Sequence, residues 1–210
     1  MCRAILFAIL AVMGSSAMPG QAMADSRPET ISAVEDENCA MEKLAWPLAE
    51  QGDVEAQLLL GVCYASRKGN SKNMQKFKKE SNKWFRLAAN QGNAVGQLHV
   101  GQMYANKERV KQNYTEAAKW FRLSAEQGNA EAQTNLAQMY KNGNGVPKNP
   151  VLAYMWSIIA AASWGDNNNP GKQSILKQQI VGIVAHMTDQ QITDAEELIK
   201  KCVANKLKWC

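Results

Sequence analysis

Ser174 and Lys177 stand three residues apart in the string Ser-Ile-Leu-Lys. On a helix that spacing places a hydroxyl and an amine on one face. It is the S-x-x-K arrangement in which penicillin-interacting enzymes set a serine nucleophile beside a lysine. The partner strings S-D-N and K-T-G do not occur in the chain, so the pair reads better as the polar face of a late helix. No G-x-S-x-G, phosphate-binding glycine loop or H-E-x-x-H is present, which removes the commonest hydrolase, nucleotide and zinc-protease signatures. His99 and His186 are far apart in sequence, and no C-x-x-C accompanies them. Neither a metal site nor any other cofactor is therefore expected, and the protein is read as having no catalytic residues. His99 is expected to be a partly exposed surface residue.

The cysteines point to structure instead of catalysis. The first two dozen residues combine Arg3, an apolar run over Ala4–Val12 and the small-x-small site Ala22-Met23-Ala24, the pattern of a secretory signal peptide. The expectation is an exported protein, periplasmic or secreted, that begins at Asp25 after cleavage near Ala24. Its net charge of +5 would fall to +4, since the leader carries Arg3 and no acid. No apolar run approaches the roughly 20 residues of a membrane-spanning helix. Cleavage removes Cys2 and leaves Cys39, Cys63, Cys202 and Cys210, an even number in an oxidising compartment. Four cysteines allow three pairings. Cys39 and Cys63 lie twelve residues either side of Gln51, at equal height if Gln51 marks the turn of a helical hairpin, so Cys39–Cys63 is expected. Cys202–Cys210 then requires the last helix to end near Asn205, because an unbroken helix would hold the two about 12 Å apart.

The elements that would position these residues repeat. KWFRLAANQGN at 83–93 returns as KWFRLSAEQGN at 119–129. The turns Gln51-Gly52-Asp53, Gln91-Gly92-Asn93 and Gln127-Gly128-Asn129 open three copies, each followed by a helix-period segment: AQLLLGVCY, GQLHVGQMY and AQTNLAQMY. Glycine suits a left-handed helix terminus, and Asp53, Asn93 and Asn129 suit the N-cap of the next helix. Gly61, Gly101 and Ala137 occupy one slot, small enough for a neighbouring helix to approach. Trp84, Trp120 and Trp156 share another and are expected to pack between helices, with Trp46, Trp164 and Trp209 packing near caps. Each unit is thus a helix–turn–helix that cannot bury its apolar stripe alone and must stack. The expected class is an all-α solenoid.

The composite pattern A-x-x-x-L-G-x-x-Y, G-x-G-V-x-K-[DN], A-x-x-W-[FY]-x-x-A-A-x-Q-G-[ND] resembles the Sel-1-like repeat family, relatives of tetratricopeptide repeats. The best copy is Ala132–Ala162 with the loop NGNGVPKNP. The second copy lacks the loop glycines, and the first carries four extra residues in a lysine-rich loop over Arg67–Lys79. The tail MTDQQITDAEELIKKC resembles the terminal capping helix of bacterial members. The organisation expected is a leader over 1–24, a flexible acidic segment over 25–36 and a repeat domain over 37–205. Within that domain the units fall at about 51–90, 91–126 and 127–162, with a cap over 168–205, and a disulfide-tethered tail follows over 206–210. Pro47 lies inside the first half-unit, where it is expected to kink the helix.

The resemblance implies a non-enzymatic scaffold or adaptor that binds a protein or peptide in the bacterial envelope. Because penicillin binding or weak β-lactamase activity has been assigned to cysteine-rich relatives, Ser174 and Lys177 carry the alternative. Binding is expected on the inner face of the first helices, at Leu58, Val62 and Ala65, at Leu98, Gln102 and Ala105, and at Thr134, Gln138 and Lys141. The basic loop of Arg67, Lys68, Lys72, Lys76, Lys78 and Lys79 reads as a solvated insertion. A monomer is expected, with no nucleic-acid partner and no membrane span.

Overall fold

The computed structural model describes residues 42–106, 112–164 and 170–207, all within one compact unit, Glu35–Cys210. Among the described residues there are nine helices and no strand. In order they are α1 (Glu42–Glu50), α2 (Val54–Ser66), α3 (Ser71–Asn90), α4 (Ala94–Ala105), α5 (Tyr114–Glu126), α6 (Ala130–Asn142), α7 (Pro150–Trp164), α8 (Pro170–Val184) and α9 (Asp189–Ala204). Helices α2–α3, α4–α5 and α6–α7 are the three hairpins. α1 precedes them as a half-unit, and α9 folds back onto α7. Pro47 sits inside α1.

The repeated Gln-Gly-Asp/Asn turn does three jobs at once. Its glycines, Gly52, Gly92 and Gly128, adopt φ of 98°, 87° and 86°, the left-handed conformation that ends a helix without steric cost only for glycine. Asp53, Asn93 and Asn129 then cap the next helix, their side chains accepting from Ala56, Gly96 and Ala132 main-chain N–H groups. Such caps are each worth about 0.5–2 kcal/mol. The glutamine ties the turn to the one before it. Gln91 Nε2 donates to Gly52 O at 3.0 Å and Gln57 Oε1 at 2.9 Å, and Gln127 Nε2 donates to Gly92 O at 2.9 Å and Gln97 Oε1 at 2.8 Å. Gln57 in turn donates to Ala49 O across the hairpin.

Between the two helices of a unit, an aromatic ring seats on a glycine. A Cβ at Gly61 would fall 2.7 Å from the Phe85 ring, and one at Gly101 would fall 2.6 Å from the Phe121 ring. The third copy carries Ala137 in the glycine slot and Ser157 in the phenylalanine slot, both fully buried. The methyl group gained on one helix is matched by the ring lost on the other. Trp84 and Trp156 are buried. Trp120 packs on Val100 and Met103, and Trp46 meets Trp84 edge-on at 5.3 Å. Trp164 is half-buried, and Trp209 lies outside the described residues. A continuous core runs from Leu98 through Phe121, Leu136 and Trp156 to Ile183 and Cys202 of the cap.

Two expectations change. The lysine-rich stretch is a loop only up to Asn70. Asn70 caps α3 by accepting from Asn73 N–H, so Lys72, Lys76, Lys78 and Lys79 lie on a helix. α3 runs to 20 residues, against 13 in α5, so the lysine-rich stretch from Ser71 onward is helix. Nor is Arg67 solvated. It is 8% exposed and pairs with Glu42, and its guanidinium lies over the Tyr64 ring at 4.7 Å and near the Phe77 ring at 5.4 Å. At the other end α9 stops at Ala204. Lys206 and Leu207 then take φ of 51° and 64°, and Leu207 N–H returns to Cys202 O at 2.8 Å. The helix therefore ends in a left-handed turn at Lys206 and Leu207. Cys63 and Cys202 are buried, whereas Cys39 and Cys210 lie outside the described residues.

The ring-on-glycine contact has a test of unusual sign. Alanine for glycine normally favours a helix by about 1 kcal/mol. Gly101→Ala is expected instead to lower the unfolding midpoint, by overpacking worth ~1–3 kcal/mol. In a Phe121→Ser background, the pairing used by the third copy, the same alanine should no longer destabilise.

Candidate functional site

The first helices of the three hairpins present one slot towards solvent in each unit. Val62 is 50% exposed, Gln138 is exposed, and Gln102 is half-buried. Next to them along the helix, Ala65 is exposed, while Ala105 and Lys141 are half-buried. The slot before them is less open. Leu58 and Thr134 are half-buried, and Thr134 turns its hydroxyl back to Ala130 O at 2.8 Å. Leu98, expected on the binding face, is 6% exposed and belongs to the core cluster with Phe121 and Leu136. It is a packing residue, because the aromatic of its own hairpin closes over that side of α4. Lys141 reaches the cap: its Nζ lies 3.8 Å from where a Cβ on Gly182 would stand.

Between the second and third hairpins Gln102, Ala105 and Gln138 border a depression of about 710 Å³. Its polar lining comes from Gln102, Asn106, Gln112, Asn135, Gln138 and Asn144. Its apolar floor is Ala105, Phe121 and Met139, with Tyr114 at one side. Three elements hold it in shape. Gln102 Nε2 donates to Glu131 Oε1 at 2.9 Å, linking α4 to α6. Asn113 N–H donates to Tyr104 O at 2.9 Å, which fixes the start of α5. The loop after α6 closes the wall at Gly145, where a Cβ would stand 2.3 Å from the Tyr114 carbonyl oxygen. Gln102, Gln138 and Ala105 were legible from the repeat slots. Asn106, Gln112 and Asn144 were not, since they lie at helix ends and in loops where the copies diverge. Asn135 shares its slot with Leu59 and His99, and that variability was the available signal. His99 itself is half-buried and stacks on Phe85 at 3.8 Å and 17°.

The residues considered for chemistry lie elsewhere. Ser174 and Lys177 are both exposed on α8 and do not line the depression. A buried polar cluster sits where α1 meets α2. Tyr64 O–H donates to Glu42 Oε1 at 2.7 Å, and Glu42 also pairs with Arg67. Burial, followed by the hydrogen bond to Glu42, pushes the Tyr64 hydroxyl well above the usual tyrosine range. The second and third hairpins use a simpler version: Arg86 donates to Tyr104 O–H at 3.2 Å and Arg122 to Tyr140 O–H.

The Sel1 repeat family model matches residues 54–93, 94–129 and 130–163. A solved Sel1 repeat protein from Oxalobacter formigenes is 31% identical, with a TM-score of 0.54, over 67% of this chain and 96% of that one. The solved structure of c5321, described as a protective antigen present in uropathogenic Escherichia coli strains and displaying an SLR fold, is 22% identical with a TM-score of 0.54. The match covers 79% of this chain but only 41% of that protein, and it bears on the fold alone. No curated protein matches the chain significantly.

The tyrosine cluster yields a pH test. Because the folded state raises Tyr64, its neutral form carries stability that is intact below the unfolded value of about 10. That stability is lost as the pH climbs above it. Absorbance titration should show Tyr64 ionising later than a free tyrosine, and Tyr64→Phe should flatten the alkaline loss of stability. Glu42→Gln should cost about 3 kcal/mol, since it strands the buried Arg67 charge.

Proposed function

Because the chain belongs to the Sel1 repeat family, we propose that it is a non-enzymatic interaction scaffold that holds a protein or peptide partner on the first helices of its hairpins. One observation carries the reading: one repeat slot is exposed at Val62 and Gln138 and half-buried at Gln102, on three consecutive units. Stacked hairpins turn such a slot into a row, and a row of mixed apolar and amide side chains suits an extended partner. We further propose export through the leader over 1–24, a monomeric state, and terminal disulfides Cys39–Cys63 and Cys202–Cys210. The pairing is supported by the burial of Cys63 and Cys202 and by the end of α9 at Ala204, six residues before Cys210. Disulfides at both ends would restrain the two units that lack a neighbour on one side, each by about 2–4 kcal/mol.

The test is site-specific photo-crosslinking in the intact cell envelope and the culture medium. Probes at Val62 and Gln138 are expected to trap one discrete adduct, identifiable by mass spectrometry. A probe at Lys119, exposed on the second helix of its hairpin, should trap none. Equal trapping at all three positions would move binding off this face. A fluorescent penicillin that labelled the protein covalently at Ser174 would replace the scaffold reading with the acyl-transfer one.

A further inference from the structure

The second helices of the hairpins carry charge very unevenly. α3 holds five lysines and Arg86 against one acid, Glu80, whereas α5 holds Lys119 and Arg122 against Glu116 and Glu126. Lys119 is also paired with Glu116. Four of the α3 lysines fall on one line. Lys72, Lys76, Lys79 and Lys83 are spaced four, three and four residues apart, which is one face of a helix, and the line is about 16 Å long. It lies opposite the face that buries Phe77, Ser81, Trp84 and Ala88. Lys72, Lys79 and Lys83 are exposed and Lys76 is half-buried, with Lys68 exposed in the loop before the helix. Lys83 Nζ stands 4.7 Å over the Trp84 ring. Leu87, 38% exposed, continues the line one turn after Lys83, and Leu123, 45% exposed, holds the same slot on α5. The arrangement works against the helix itself. Lys72 lies in the first turn, where the unpaired N–H groups already concentrate positive charge, and that turn contains no acid. An anion over the line would relieve both this repulsion and that between the lysines.

We propose that the exposed face of α3 docks on an anionic phospholipid surface. The site is on the second helix of its hairpin, apart from the first-helix row, and does not depend on the scaffold reading. Charge complementarity calls for an anion, and the residue types say which kind. Arginine is the side chain that grips a single carboxylate or phosphate in fixed geometry. The two arginines beside the line are committed to the fold, Arg67 to Glu42 and Arg86 to Tyr104. What faces outward is lysine, a point charge on a flexible stem. A row of such charges suits a field of mobile headgroups better than one folded acidic partner. Clustered lysines on a helix are the electrostatic footprint of anionic lipid. Leucines beside them can reach the acyl boundary while the lysine amines stay among the headgroups.

The test is co-sedimentation of the full chain with sucrose-loaded vesicles, one set pure phosphatidylcholine and one carrying about 30% phosphatidylglycerol. Binding through the apolar leader would appear equally on both sets, so the readout is the excess on the anionic one. That excess is expected to be about tenfold or more from five lysines. It should vanish in about 0.5 M salt, where the screening length falls to roughly 4 Å. Lys72→Gln and Lys79→Gln should each weaken anionic binding about fivefold, and together about thirtyfold. Both positions are exposed and glutamine matches lysine in helix propensity, so these variants should melt like the parent. Lys72→Arg combined with Lys79→Arg should bind like the parent. Lys119→Gln, which removes a charge already paired, should stay within about twofold. Soluble polyglutamate, added at the same charge concentration as the lipid, should not displace the vesicles. Equal binding to both vesicle sets, or an anionic excess that the double glutamine variant keeps, would overturn the proposal. Displacement by polyglutamate would overturn it too and make the partner an acidic protein. The crosslinks at Val62 and Gln138 test the scaffold reading separately, and that reading survives any of these outcomes.

Discussion

One glutamine per unit, reaching back across a turn, sets the geometry on which the stack depends. Gln91 and Gln127 each satisfy a carbonyl of the preceding glycine turn and a glutamine of the preceding first helix. The carbonyls at a helix end have no partner within the helix. A side chain from the next unit supplies one, so the end of each hairpin is completed only when its neighbour is present. Burial of the apolar stripes provides the larger share of the driving force, but it is non-directional. The glutamine relay and the ring-on-glycine contact fix which residues meet. This explains why the eleven-residue phrase recurs nearly intact while the loops between helices vary in length and composition.

The ends of the array solve the same problem by other means. At the N-terminal end, the arginine that would reach the tyrosine from a preceding second helix is missing. Arg67 arrives from the following loop and brings Glu42 with it, so Tyr64 is held in a buried charge pair. At the C-terminal end, α9 lies back on α7 and delivers Cys202 beside Met155, sulfur to sulfur at 3.8 Å. The left-handed residues Lys206 and Leu207 then turn the chain so that Leu207 covers the same core. Thr188 and Gln191 form a reciprocal cap that starts this last helix cleanly.

Much of the fold was legible because the repeats write each structural role three times. The turn glycines, the N-caps and the tryptophan slot could each be read by aligning copies, since one backbone geometry imposes one residue type. What was illegible lies where the copies differ. The lysine-rich insertion looked like a loop because lysine and asparagine dominate it, yet a single N-cap at Asn70 suffices to start a 20-residue helix there. Arg67 looked solvated because charge is usually outside, and only the distant Glu42 reverses that. Leu98 shares a slot with half-buried Leu58 and Thr134, so its position in the repeat could not reveal that packing closes over it. Three amides of the depression, Asn106, Gln112 and Asn144, come from loops and helix ends, and no periodicity gathers them.

The central claim is that units are completed by their neighbours through the glutamine relay. Hydrogen exchange on a Gln127→Ala variant tests it most directly. The account expects faster exchange on both sides of the lost bonds, in the turn at Gly92–Gly96 and at the start of α6, with α9 unchanged. Acceleration confined to the immediate vicinity of residue 127, or spread evenly over every helix, would contradict it.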